Sequence, residues 1–105
     1  LGPIVERLRA HDAPASLGQA LEVAAAYERT RDRDAALRRV DEALALEDKP
    51  SRRLLRGDLL ADVDPIAARA SWEAALGLAH PDSVWAARAR ARLARPRSEG
   101  RAGAR

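Results

Sequence analysis

A chain of 105 residues is one small domain, near the size at which buried area only modestly exceeds the entropy cost of folding. Hydrophobic residues make up 47% and charged residues 33%, a globular rather than a disordered balance, but with aromatics at 3% and no Phe, Met or Cys the core must be built from Ala, Leu and Val. The absence of Cys excludes disulfide frameworks, thiolate zinc sites and Cys nucleophiles together, and leaves the compartment open between cytoplasm and periplasm.

No apolar run approaches the ~18 residues of a membrane helix, so no membrane insertion is expected. The chain opens "LGPIVERL", without Met and without a basic-then-apolar leader, which reads as a processed form or an excised piece. Its net charge of +3 is unevenly placed: residues 86–105 carry seven Arg against Glu99, leaving 12 basic and 15 acidic residues in 1–85. Arg outnumbers Lys 18 to 1, which with so much Ala points to a GC-rich bacterial genome rather than to a function.

Taken in chain order, the periodicity is helical almost throughout. Pro3 suits a first helical turn, and Ile4, Val5 and Leu8 form a short apolar stripe over 3–10. A helix follows "HDAPAS", with Ser16 and Gln19 spaced as a capping box and Ala20, Val23, Ala24 and Tyr27 spaced as its buried stripe. "TRDRD" supplies an Asp cap for a helix burying Ala36, Leu37, Val40, Ala43 and Leu44, which "EDKPS" ends. The next helix covers roughly 51–62 with Leu54, Leu55, Leu59 and Leu60 inward. In "DVDP", Asp64 is a cap and Pro65 a first helical residue; that helix presents Ala68, Trp72, Ala75 and Leu76. "HPDS" closes it, and a last helix runs from Ser83 to Ala94. Residues 1–95 thus read as one helical domain, and 96–105 as a flexible Arg/Gly-rich tail.

The stretches "DRDAALRRVDEALAL" and "DPIAARASWEAALGL" align at a 32-residue offset, matching Asp32 with Asp64, Ala36 with Ala68, Val40 with Trp72, Ala43 with Ala75 and Leu44 with Leu76. A period of this size means stacked helix pairs. With Tyr27, Ala36, Val40, Ala43-Leu44 and Pro50 in one unit and Leu59, Ala68, Trp72, Ala75-Leu76 and Pro81 in the next, residues 17–95 resemble the tetratricopeptide (TPR) family. The unit is two residues shorter than the family's ~34, and Arg31 and Val63 stand in place of its turn glycine.

The resemblance implies an all-α fold, an α-α superhelix of about two full repeats plus flanking helices, in which small residues at Ala24, Ala36 and Ala43 allow close helix approach. It further implies a non-catalytic scaffold that binds a protein or peptide segment, or a second copy of itself, on a concave face formed here by Leu21, Ala25, Arg53, Gly57, Leu60 and Trp85. Of the positions that make the family's carboxylate clamp, only Arg53 is a cation, so no clamp is expected. Trp72 is expected to be buried, with Trp72→Ala costing ~3–5 kcal/mol.

Catalysis, cofactors and metal binding find little footing in the residues. His11 and His80 lie in connections, with no second His at ligand spacing. The acidic pairs lack a calcium-loop context, the serines lack a nucleophile elbow, and Gly57 has no phosphate-cradling companions. The alternative function rests on the basic patch in "WAARARARLARPR", where Arg88, Arg92 and Arg95 share a broad helical sector that could meet phosphate or an acidic surface. Repeat proteins also need a polar outer face on a terminal helix, and nucleic acid is the weaker of the two readings because no aromatic beyond Trp85 interleaves the arginines.

Overall fold

The computed structural model describes residues 14–95, and among them there are five helices and no strand. These are α1 (Pro14–Glu28), α2 (Arg33–Leu46), α3 (Pro50–Leu60), α4 (Pro65–Leu78) and α5 (Val84–Ala94). The expectations for residues 3–10 and for the segment after Arg95 lie outside the described residues. Connections of three to five residues return each helix onto the one before it, the loop length of antiparallel helical hairpins. Thus α1 packs on α2, α3 on α4, α2 on α3, and α5 on both α4 and α3.

The 32-residue offset is visible atom by atom in the turns. Asp32 closes the first hairpin, its Oδ1 accepting from the Ala35 N–H at 3.1 Å, and Asp64 closes the second by accepting from the Ala67 N–H at 3.1 Å. Just before these caps, the Asp32 N–H donates to Glu28 O and the Asp64 N–H to Leu60 O, at 2.8 and 2.7 Å. The ends of α2 and α4 match as well, with the Glu47 N–H on Ala43 O and the Ala79 N–H on Ala75 O, each at 3.0 Å. A side-chain oxygen at each N-cap removes an orphan donor that would otherwise fray the first turn. Arg31 and Val63 thus occupy turns that close on backbone and Asp partners.

After α4 the register changes. The connection 47–49 is succeeded by a longer one, 79–83, and α3 and α5 are the same length at an offset of 34 rather than 32. On that alignment Ala86 stands where Arg52 stands, and both are fully buried.

Within the hairpins, large and small residues compensate. Val40 shares a buried cluster with Ala25, Ala36 and Leu59. At the matching place in the second hairpin, Trp72 lies against Gly57, where a methyl group would come within 2.5 Å of the indole Cδ1 and 3.0 Å of Ala68 O. The larger ring is accommodated because the facing residue has no side chain. Trp72 is therefore only half-buried, short of the full burial expected from sequence, since its indole lies across the surface of α3 with its N–H turned to Asp58.

Two further expectations are corrected. α1 begins at Pro14, so Ser16 lies inside the first turn and is exposed, and does not cap it; a first-turn proline needs no N–H partner. The buried face of α1 is formed by Leu17, Gly18, Leu21, Ala24 and Ala25, turned roughly 100° from the expected stripe. Val23 and Tyr27 are 51% and 56% exposed. The two leucines bring more apolar area inward than Val23 and an amphipathic Tyr, and Tyr27 instead receives the Arg31 guanidinium 4.7 Å from its ring centroid.

Candidate interaction surface

The polar side chains that join the helices decide which charges remain exposed. Arg52 of α3 is 1% exposed. Its Nε donates to Glu22 Oε1 on α1 at 3.0 Å, and its Nη1 donates to Ala43 O and Glu47 O at the end of α2, both at 2.8 Å. A guanidinium matches this task because it places several donors in one plane, and the carbonyl end of a helix favours a cation. Gly18 makes room for it: a β-carbon there would meet Arg52 Nη2 at 2.8 Å.

Asp58, also on α3, has an 11% exposed side chain. Its carboxylate accepts a two-pronged pair from Arg92 of α5, Nε at 2.6 Å and Nη2 at 2.8 Å, and the Trp72 Nε1–H of α4 at 3.1 Å. Arg29 of the α1–α2 turn lies 3.9 Å away. The hydrogen bond to Asp58, against the opposing effect of burial, holds the Arg92 guanidinium above its ordinary value. Arg92, charged like any arginine, serves as a tie between α5 and α3.

Of the six residues expected to line a concave binding face, Leu21 and Ala25 are fully buried, and Gly57 and Leu60 are also buried. The reason is the rotation of α1 together with the close seat of Trp72 on Gly57, which turn these positions toward neighbouring helices. Arg53 is half-exposed and pairs with Asp48 through two hydrogen bonds of 2.8 and 2.9 Å. That pair holds the Asp48 carboxyl below the usual carboxylate range, its hydrogen bond with Arg53 outweighing partial burial. Trp85 is half-buried, packed beside Leu54, Ala75 and Ala89, with Arg88 over its ring at 5.0 Å.

The basic patch divides in the same way. Arg88 and Arg95 are exposed, whereas Arg92 is drawn inward. Arg90 is exposed and donates to Pro81 O at 3.0 Å. Sequence pattern could not have separated these, since Asp58 lies 34 residues from Arg92.

An open cleft of about 820 Å³ lies between the α1–α2 turn and the end of α3. Leu37 and Leu59 contribute apolar walls, and Arg29, Arg31 and Arg33 face Asp32, Asp34, Asp58 and Asp62. Its charges are mixed and several are already engaged: Asp32 caps α2, Asp58 holds Arg92, and Arg33 lies 3.7 Å from Asp62. Among the described residues no group of three or more His, Asp or Glu is placed to hold a metal ion, and no helix is long and apolar enough to cross a membrane. His80 is exposed, its Nδ1 accepting from the Asp82 N–H.

The class these observations define is an all-helical fold built from a repeated hairpin. Compared with protein-family models, with curated proteins and with solved structures, the chain matches none.

Proposed function

We propose that this chain is a non-catalytic protein-interaction module of the tetratricopeptide type, holding a segment of another protein against its helical surface. The observation that supports the reading best is the hairpin repeated at 32 residues, with Asp32 and Asp64 capping alike and Val40–Ala25 answered by Trp72–Gly57. Stacked hairpins of this kind propagate one core and leave long helical faces outside it, and the polar side chains best placed for chemistry, Arg52 and Asp58, are occupied in joining helices. Of the concave-face residues, Arg53 and Trp85 are those a partner reaches, an orienting charge and an apolar anchor.

The competing reading is phosphate binding by the C-terminal arginines. It draws on Arg88 and Arg95, with Arg92 already held by Asp58. Salt separates the two: phosphate binding falls steeply with ionic strength through counterion release, and an interface anchored by apolar contacts responds weakly. The test is retention of partner proteins by the intact chain at low and high salt, beside titration with a labelled oligonucleotide. A protein retained at high salt is the expected result. Binding of the oligonucleotide alone, lost as salt rises, would overturn the proposal.

A further inference from the structure

Among the described residues, the outward face of α5 is a helix face without the neighbour that its counterpart has. At the 34-residue offset, Leu54, Gly57 and Leu60 of α3 correspond to Arg88, Ala91 and Ala94 of α5. The three on α3 are buried, with Leu54 clustered with Ala75 of α4 and Gly57 pressed against Trp72 and Ala68. All three on α5 are exposed. Meanwhile Ala86 and Ala89, the inward residues of α5, are fully buried. The helix is therefore seated as the first member of a third hairpin, and the sector where a second member would lie faces outward.

What would cover that sector is indicated by charge. From Val84 to Arg95 there are four Arg and no acid. Arg92 is neutralised by Asp58, but Arg88 and Arg95 flank Ala91 and Ala94 on the open side. The ten residues that follow, "PRSEGRAGAR", contain no apolar side chain larger than Ala and Pro, and three further Arg minus one Glu would add to the repulsion if the exposed stripe were to bind a basic segment.

Resting on the interaction-module reading above, we propose that this face of α5 takes an acidic amphipathic helix from a partner protein. That helix docks in the place a second member of the hairpin would take, its apolar stripe over Ala91 and Ala94 and its carboxylates beside Arg88 and Arg95. Small residues at the seam allow close backbone approach, and helix-in-groove recognition is read by anchors one turn apart. The flanking arginines fix orientation by charge complementarity.

The test uses the intact chain and a synthetic helical peptide with one Leu stripe flanked by Glu, beside the same composition scrambled and a single-stranded oligonucleotide of equal charge. The deciding variant is Ala91→Arg, at an exposed position where the fold should melt as before. It adds positive charge but obstructs the seam. Seating of a helix predicts that Ala91→Arg weakens peptide binding about tenfold, and that the scrambled peptide binds about tenfold more weakly than the ordered one. The double variant Arg88→Gln/Arg95→Gln should also weaken binding. Unchanged or tighter binding by Ala91→Arg, equal binding of the scrambled peptide, no peptide binding at all, or equal competition by the oligonucleotide would each overturn the proposal. Self-association of the chain abolished by Ala91→Arg would make a second copy the occupant and overturn it too. A partner protein retained equally by wild type and Ala91→Arg leaves the module reading standing while removing this surface from it; retention of no partner by either removes both.

Discussion

At the scale of single residues, two glycines in neighbouring helices have opposite value. A methyl group on Gly57 would press into the Trp72 indole and Ala68 O, whereas one on Gly77 would meet nothing within 4 Å. Gly57→Ala should therefore destabilise by about 1–3 kcal/mol through overpacking, in spite of the better helix propensity of Ala. Gly77→Ala should instead stabilise by about 0.5–1 kcal/mol. Thermal melting of the two variants side by side checks both, and equal responses would mean that Trp72 does not lie where described. Trp72 itself carries apolar area and one hydrogen bond to Asp58, so Trp72→Phe should cost about 1 kcal/mol and Trp72→Ala about 2–4 kcal/mol, the latter tempered by its half-exposure. Denaturant titration with an unchanged m-value is the measurement. None of this pairing was legible in the sequence beyond the alignment of Trp72 with Val40, because the compensating change sits 15 residues away, in Gly57 opposite Ala25.

At the scale of elements, the starts and stops were the most legible part. Asp64 caps the helix it was expected to cap, the Asp cap expected from "TRDRD" is Asp32, and Pro65 opens α4, because caps and first-turn prolines act through bonds local in sequence. Which face of a helix turns inward was legible only where polar residues marked the other side. In α1, Ala-rich on both sides, competition between Leu17–Leu21 and Val23–Tyr27 was settled by packing and by Arg52 reaching Glu22 across 30 residues. The same long reach explains why the inward turn of Arg92 escaped pattern reading. α5 makes a prediction of its own: Asp58→Ala removes its tie to α3 and leaves the guanidinium of Arg92 partly buried without its carboxylate. A loss of about 2–4 kcal/mol is expected, with hydrogen exchange accelerated in α5 before the other helices. Uniform acceleration along the chain would contradict the description of α5 as a separately latched element.

At the scale of the whole molecule, acid is the condition that should reveal its ion pairs. The Asp48 carboxyl is held below its ordinary value by Arg53, so this group adds stability that is fully present above the unfolded-state value and is lost as pH falls through the lowered folded value. The effect is small, since Asp48 is 43% exposed and exposed pairs are worth about 0.2–1 kcal/mol. Melting temperature followed from about pH 5 to pH 2 should decline less steeply in Asp48→Asn than in wild type. Equal slopes would show that the Asp48–Arg53 pair is not formed in solution. Arg92 contributes no slope in this window, because an arginine is charged throughout it.

The reach of Asp58 also sets an order of events during folding. The hairpins close through contacts about 15 residues apart, whereas the Asp58–Arg92 pair spans 34 and the Arg52–Glu22 pair 30. Longer loops cost more entropy to close before their contacts return any stability. The pairs are thus expected to form after the barrier, when the hairpins are already in place. Arg92→Gln, which leaves the Trp72–Asp58 bond within the hairpin in place, should then leave the refolding rate close to wild type and speed unfolding, the behaviour of a position with a φ-value near zero. Stopped-flow chevrons for this variant would show a shifted unfolding arm and a shared refolding arm. In that sense the Asp58–Arg92 pair governs how long the native state persists rather than how quickly it is reached.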